Sequence, residues 1–151
     1  MLQNAWDGYE VATVEELFFM DLAPGLPPVI GIIDLVLRTG RSHLVVDHKT
    51  SKRFNDLDSG QLELYAQQVR RSRGVAECAA AFDEYRLVPD LRRVRKPVFR
   101  RTPVAVSPAG VLAMIGRYGL AWKRIARIRC ANDAPPAAEC WFCRPRQARW
   151  Y

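Results

Sequence analysis

The segment that is most informative about the fold is Val29-Ile-Gly-Ile-Ile-Asp34-Leu-Val-Leu-Arg-Thr-Gly40-Arg41-Ser-His-Leu44-Val-Val-Asp47-His48-Lys49. Two runs of branched apolar residues, which favour β-strands, flank Gly40-Arg41, and glycine in the first turn position is typical of a type II′ hairpin. Counting back from that turn places Asp34 directly opposite Asp47. Lys49 shares the face of Asp47, because strand side chains repeat every second residue. We therefore predict that two carboxylates and an ammonium group meet inside an apolar hairpin.

Charged groups in such a place are costly unless they are paired or bind a metal, and carboxylates are ligands that Mg²⁺ prefers. Mg²⁺ or Mn²⁺ held by Asp34 and Asp47 would polarise a phosphoryl oxygen and lower the pKa of a bound water. Lys49 would orient or deprotonate that water, or neutralise charge on the phosphorus. The alternative is a plain salt bridge of Lys49 on a solvent-facing strand. We predict the metal site, because the apolar neighbours of both aspartates indicate central strands.

A helix predicted over residues 59–72 carries a second polar pair. Gln61 and Tyr65 are four residues apart and therefore share one helix face. Without the preceding strands, an ordinary helix surface with a half-buried tyrosine would explain them equally well.

Together these residues resemble the PD-(D/E)XK nuclease superfamily, and within it the RecB-like branch, which includes CRISPR-associated and phage RecB-like exonucleases. The resemblance covers residues 10 to about 105 and rests on three segments in the family's order. These segments are Gly31-Ile-Ile-Asp34, Asp47-His48-Lys49 and the helix bearing Gln61 and Tyr65. It implies a metal-dependent DNA nuclease whose catalytic residues are Asp34, Asp47, Lys49, Gln61 and Tyr65.

The same resemblance adds two metal ligands. The backbone carbonyl of His48 would be one of them. Glu15 matches an acidic position that precedes the first motif in many relatives, although Glu16 is equally close and a solvated strand edge would also explain either residue.

The C-terminal part of the chain is strongly basic. Residues 1–91 carry 9 basic against 14 acidic residues, a net charge of −5, whereas residues 92–151 carry 14 against 2, a net charge of +12. Such asymmetry indicates a surface for a polyanion such as DNA, although a charge run is more often a solvated face. Thr50 and Ser51 could bond a phosphate or cap the following loop. The predicted DNA-binding residues are Thr50, Ser51, Arg92, Arg93, Arg95, Lys96, Arg100 and Arg101.

The predicted fold is a single α/β (α+β) domain over residues 1–151. Strands are expected over 10–22, 29–37, 44–49, 76–87 and 97–106, and helices over 59–72 and 107–129. Ser107 and Pro108 start the second helix, whose apolar stripe we assign to the core. The resemblance implies a restriction-endonuclease-like mixed central sheet flanked by helices, one on each side. The N-terminal helical region of RecB-like relatives is expected to be missing.

An irregular, basic, cysteine-containing tail is expected over residues 130–151. Cys140 and Cys143 have metal-ligand spacing. In the RecB-like branch two such cysteines belong to a [4Fe–4S] cluster, but the third position is Arg149 here and the N-terminal cysteine is absent. Cys130 and Cys78 could complete an Fe–S or Zn site. Otherwise Cys78 is a core residue and the pair is a remnant.

These features point to a Mg²⁺-dependent DNA exonuclease of recombination, repair or phage DNA processing. The first alternative is a catalytically weak, nuclease-like DNA-binding module of a larger helicase–nuclease assembly, and a more distant one is a packaging or restriction-type endonuclease. Partners would be DNA, with a helicase, a recombination protein or a second copy of the chain. A cytoplasmic location without membrane association is expected, since neither a secretory signal nor a membrane-spanning run occurs.

Overall fold

The computed structural model describes residues 6–54, 57–86 and 98–129. A five-stranded mixed sheet and two helices form an α+β arrangement, which confirms the predicted fold class. In chain order the elements are β1 (Glu10–Met20), β2 (Val29–Thr39), β3 (Ser42–Ser51), α1 (Gly60–Arg73), β4 (Cys78–Arg86), β5 (Phe99–Val104) and α2 (Pro108–Ile125).

The strands follow one another across the sheet in chain order. Neighbouring strands are antiparallel except for β3 and β4, which are parallel. A parallel pair needs a long crossover connection, and α1 supplies it here. The crossover lays α1 against β3 and β4, so the helix packs over the strand that carries Asp47 and Lys49.

The hairpin between β2 and β3 has the predicted register. Its pairs run from Thr39 opposite Ser42 to Leu35 opposite Val46. Gly40 has a φ of +57°, and Arg41 is not among the described residues with positive φ, as a type II′ turn requires. The turn therefore sets the register that brings the two aspartates together.

The sheet has two differently packed faces. On the face covered by α1, which we call the helical face, Ile33, Val45 and Phe82 belong to the main core cluster. On the opposite face Val46 belongs to a second, smaller cluster, against which Trp6 and other part-buried residues pack. The full second cluster contains Leu37, Leu44, Val46 and Ala81.

The first turns of α2 also meet the helical side. Met114 packs against the main core cluster, and Gly110 lies so close to the Glu63 carboxyl of α1 that a Cβ would clash with it. The helix expected on the opposite face is not seen within the described ranges. Ser107 caps α2 as predicted, because its hydroxyl accepts a hydrogen bond from the Gly110 N–H over 3.0 Å.

Most of the apolar stripe of α2 is not core, contrary to prediction. Val111 is the buried residue of this helix, whereas Leu112 and Leu120 are 67% and 61% exposed. The chain divides into two compact units, Met1–Arg117 and Tyr118–Tyr151, and the boundary falls inside α2. Among the described residues no helix has the length and apolar character needed to cross a membrane.

Candidate active site

Asp34 and Asp47 come together at the end of the β2–β3 ladder. They are the next residues on each strand after the last pair, Leu35 and Val46. The Asp34 carboxylate accepts a hydrogen bond from the backbone N–H of His48, with Oδ2 2.8 Å from the nitrogen. Asp34 therefore reaches across to the backbone segment that carries Asp47.

Asp47 is almost fully buried, with 2% of its surface exposed. Its Oδ2 lies 2.7 Å from Lys49 Nζ in an ion pair whose angle is poor for a hydrogen bond, and no described residue donates to this buried oxygen with good geometry. Burial raises the pKa of the Asp47 carboxyl above its ordinary value, and the nearby charge of Asp34 acts in the same direction. Lys49 opposes both effects and lowers that pKa. The site thus holds a carboxylate whose charge is only partly compensated.

Lys49 connects the strands to the predicted pair on α1. Its Nζ donates to Gln61 Oε1 over 3.2 Å, and Gln61 Nε2 donates to the Tyr65 hydroxyl over 2.7 Å. Tyr65 is itself held by an edge-to-face contact with Phe18, whose ring centroid lies 5.5 Å away. The five predicted catalytic residues therefore form one connected group, in which a packed tyrosine orients a glutamine and the glutamine orients the lysine.

The donor set at this position suits a hard divalent cation. Within the described ranges no three His, Cys, Asp or Glu side chains cluster closely enough to hold a metal ion by themselves. Mg²⁺ does not need such a cluster, because it commonly uses one or two carboxylates and completes its octahedron with water and substrate phosphates. The buried Asp47 oxygen, which has no well-aligned hydrogen bond, is the kind of atom that a cation would satisfy.

Comparison with known proteins identifies the family. The family model of the PD-(D/E)XK nuclease superfamily matches residues 3–144. The chain belongs to this superfamily. The predicted membership is thus confirmed at the level of the superfamily, and assignment to the RecB-like branch stays a prediction. No curated protein matches the chain.

A crystal structure from Eubacterium rectale, of a protein provisionally named an exonuclease, has a similar fold. The TM-score is 0.57 at 14% sequence identity, over 88% of this chain and 51% of that one. At this identity the likeness concerns the fold. The chain spans about half the length of that structure.

Glu15 lies opposite Asp34 in the β1–β2 ladder, between two pairs of unchanged register. It is exposed and has a φ of +50°, a conformation uncommon outside glycine, so β1 is irregular beside the candidate site. Glu16, the other candidate, forms an ion pair with Arg73 at 2.5 Å and accepts a hydrogen bond from Thr13. A metal-binding role for Glu15 stays a prediction.

Thr50 and Ser51 alternate between the two faces of β3. The Ser51 hydroxyl donates to the Arg53 carbonyl, which matches the loop-capping alternative for this residue. Thr50 is exposed, and the alternation places it with His48 on the opposite face, away from Lys49. A phosphate contact by either hydroxyl remains a prediction.

Two buried acidic residues on β4 were missed by the sequence interpretation. Asp83 and Glu84 are each 2% exposed and pair in register with Arg101 and Arg100 of β5, two residues predicted to bind DNA. Arg101 binds Asp83 through two hydrogen bonds of 2.7 Å, and Arg100 binds Glu84 at 2.5 and 2.9 Å. The sequence signal that could have predicted these ion pairs is a strand with two adjacent acidic residues followed by a strand with two adjacent arginines. Both guanidinium groups thus have structural partners, whatever else they bind.

Several predicted residues lie outside the described ranges. These are the basic cluster Arg92, Arg93, Arg95 and Lys96, the pair Cys140 and Cys143, and the tail over residues 130–151. Of the four cysteines Cys78 is described, and it is buried. Burial raises the pKa of its thiol to about 11, so at neutral pH it is a protonated core residue.

Proposed function

We propose that this chain is a divalent-metal-dependent deoxyribonuclease with Asp34, Asp47 and Lys49 at its centre. The observation that carries the proposal is the Asp47 carboxylate, which is buried, adjacent to a second carboxylate and left with an oxygen that only the poorly aligned ammonium group of Lys49 approaches among the described residues. A purely structural aspartate would be expected to have full hydrogen bonding at this depth. Superfamily membership supports the hydrolysis of nucleic acid phosphodiesters.

The cation would be held by the carboxylates of Asp34 and Asp47 and by the backbone carbonyl of His48. When bound, Mg²⁺ or Mn²⁺ would stabilise negative charge on a phosphoryl oxygen and lower the pKa of a bound water. The His48 N–H already binds Asp34, which fixes the orientation of that carboxylate.

The remaining chemistry belongs to side chains of the chain itself. Lys49 lies between the Asp47 carboxylate and the Gln61 amide, so its ammonium group is held at a defined place. There it can orient the attacking water or neutralise charge that develops on the phosphorus. The water oxygen forms a new bond to phosphorus while one P–O ester bond breaks, which leaves a phosphomonoester and a hydroxyl end. Gln61 and Tyr65 position Lys49.

We further propose an exonuclease that acts in recombination, repair or phage DNA processing, in the cytoplasm. The fold likeness to a provisionally named exonuclease supports this choice. A helicase, a recombination protein or a second copy of the chain are proposed as partners. A DNA-binding module of low catalytic activity is the alternative.

The direct test is digestion of end-labelled linear DNA and covalently closed circular DNA with Mg²⁺, Mn²⁺ or EDTA. The variant Asp47→Asn is compared with Asp21→Asn, which removes an exposed carboxylate at the end of β1. We expect metal-dependent loss of linear DNA that persists in Asp21→Asn and disappears in Asp47→Asn. Cleavage that survives in Asp47→Asn would place the site elsewhere. Salt-sensitive DNA binding without cleavage would favour the binding-module alternative.

Metal binding can be tested separately from activity. A ligand that binds the folded state raises its melting temperature, by an amount that grows with the logarithm of the ligand concentration divided by Kd. We expect Mg²⁺ and Ca²⁺ to raise the melting temperature of the wild-type and Asp21→Asn chains, and to leave Asp34→Asn and Asp47→Asn unchanged. Equal shifts in all four proteins would show that the cation binds at another place.

A further inference from the structure

A row of charged residues crosses three strands beside the nuclease site. Lys49 on β3 is in register with Glu84 on the parallel strand β4, and Glu84 is in register with Arg100 on β5. Phe82 belongs to the core on the helical face, and Glu84 follows two residues later, so the row lies on that face. The row leads from the proposed catalytic lysine to an arginine on the last strand.

Arg100 is held in place from two sides. Its guanidinium makes two hydrogen bonds to the Glu84 carboxylate, at 2.5 and 2.9 Å, and lies over the ring of Phe54, 4.7 Å from its centroid. Glu84 is almost fully buried, yet the Arg100 side chain remains 42% exposed. A buried carboxylate thus fixes the orientation of a cation that solvent can still reach.

A cavity of about 430 Å³ opens next to this arginine. Arg100, Ser59 and Thr102 contribute polar groups, and Leu57 and Phe82 contribute apolar surface. Phe82 is also the ring beneath Lys49, whose Nζ lies 5.9 Å from its centroid, so the cavity adjoins the catalytic residues. Its volume is within the range of sites for small ligands, about 300–1,000 Å³.

The Asp83–Arg101 ion pair, one register position away on the same two strands, differs from the Glu84–Arg100 pair. Asp83 and Arg101 lie on the opposite face, where Arg101 is stacked at 3.5 Å on Trp6 and its side chain is 24% exposed. The two pairs occupy the same two strands. The pair that adjoins the cavity is the one whose arginine is more exposed.

We propose that this cavity binds one nucleotide of the substrate strand next to the scissile phosphodiester, with Arg100 contacting its phosphate and Glu84 acting as the positioning residue for that guanidinium. The proposal rests on the nuclease function proposed above and names a subsite of it. An arginine suits this position, because its guanidinium stays charged beside Glu84 and its side chain remains 42% exposed towards a phosphate. The apolar wall would pack against the sugar or the base.

The test separates binding from chemistry. Affinity for a fluorescein-labelled oligonucleotide is measured in Ca²⁺ over a series of salt concentrations, and kcat and KM are measured in Mg²⁺. The variants are Arg100→Gln, Arg100→Lys and Glu84→Gln. Arg38→Gln is the matched control, because it removes the same charge from an exposed ion pair on β2.

For Arg100→Gln we expect Kd and KM to rise about tenfold, the salt slope to fall by about one, and kcat to change little. For Arg100→Lys we expect the salt slope to be restored but the affinity only in part, because an ammonium group cannot pair bidentately with Glu84. For Glu84→Gln we expect Kd and KM to rise about threefold while the salt slope stays unchanged. The Arg100 guanidinium keeps its charge in this variant, but it must be ordered when the DNA binds. Arg38→Gln should behave as the wild type.

Wild-type affinity and salt slope in Arg100→Gln would overturn the subsite, and so would an equal loss in Arg38→Gln. If Arg100→Gln does not fold, the double variant Glu84→Gln/Arg100→Gln removes both charges and should show the same tenfold change. Failure of the wild-type chain to cleave in any metal would overturn the proposed nuclease function alone, since the titration in Ca²⁺ reads the subsite without cleavage.

Discussion

Two buried aspartates, Asp47 on β3 and Asp83 on β4, face opposite sides of the same sheet. Each is 2% exposed and each has a cation 2.7 Å away. Asp83 is bound by two well-aligned hydrogen bonds from Arg101, whereas Asp47 has an oxygen whose neighbouring ammonium group is poorly aligned and a carboxyl whose pKa is raised, chiefly by burial. The two carboxylates are thus equally buried and equally close to a cation, but hydrogen bonds compensate the charge of Asp83 much better than that of Asp47.

The extent of hydrogen bonding distinguishes a structural ion pair from a candidate site. A buried charge that its counter-ion binds through two hydrogen bonds is already compensated, and removing that partner is strongly destabilising. A buried charge that is incompletely satisfied lowers stability in the free protein and can be compensated by a cation. On this criterion Asp83 forms a structural ion pair, and Asp47 is the residue that we propose for catalysis.

The largest expected effect is on cleavage by Asp47→Asn. Loss of several kcal/mol of transition-state stabilisation corresponds to a fall of about 10³-fold in kcat. In EDTA we expect its melting temperature to equal or exceed that of the wild type, because the substitution removes a poorly compensated buried charge. Single-turnover cleavage and thermal melting of the same preparations provide both readouts. A clear loss of stability in EDTA would contradict the contrast with Asp83.

Asp83→Asn should show the reverse pattern. Removing the charged partner of Arg101 is expected to lower the free energy of unfolding by about 3 kcal/mol. Urea unfolding monitored by circular dichroism measures this change. The double variant Asp83→Asn/Arg101→Gln should recover part of it, because neither charge then remains. If the single variant unfolds at the same urea concentration as the wild type, the Asp83–Arg101 ion pair does not stabilise the fold.

A smaller effect is expected for Tyr65→Phe. The Tyr65 hydroxyl accepts a hydrogen bond from Gln61, and Gln61 in turn accepts one from Lys49. Loss of such an outer contact is expected to lower kcat about tenfold with little change in KM. Tyr9→Phe, on the opposite face, serves as the control and should cleave as the wild type does. A kcat for Tyr65→Phe within twofold of the wild-type value would remove Tyr65 from the group that positions Lys49.

The smallest effect concerns an exposed ion pair. A hydrogen bond from Arg117, supported by the Gly60 N–H, lowers the pKa of Asp58 to about 2. Because this pKa is depressed in the folded chain, the stabilisation is present above about pH 4 and is lost as the pH falls through 2. The melting temperature of Asp58→Asn should therefore be slightly below that of the wild type at pH 7. The difference between the two melting temperatures should disappear as the pH falls to about 2. Both side chains are 58% exposed, so a large difference at neutral pH would be unexpected.

Much of the fold could be predicted because it is encoded locally. Gly40 selects the hairpin turn, and the turn sets the register that aligns Asp34 with Asp47. Helix α1 follows from its polar and apolar spacing, although Ser59 stands at its N-cap without a side-chain cap bond and Asp58 binds the Gly60 N–H instead. The apolar stripe of α2 was misassigned, because periodicity shows that a face is apolar and does not show what covers it.

Residue order alone therefore settled which groups could meet along one hairpin and one helix, since turn chemistry and strand or helix period act over a few residues. The folded chain decided how well each charge is compensated. Glu84 and Arg100 are sixteen residues apart in sequence and meet only when β4 and β5 pair. The unsatisfied oxygen of Asp47 likewise exists only because α1 and the sheet exclude water from it. Long-range packing creates burial, and burial turns an ordinary aspartate into a candidate for catalysis.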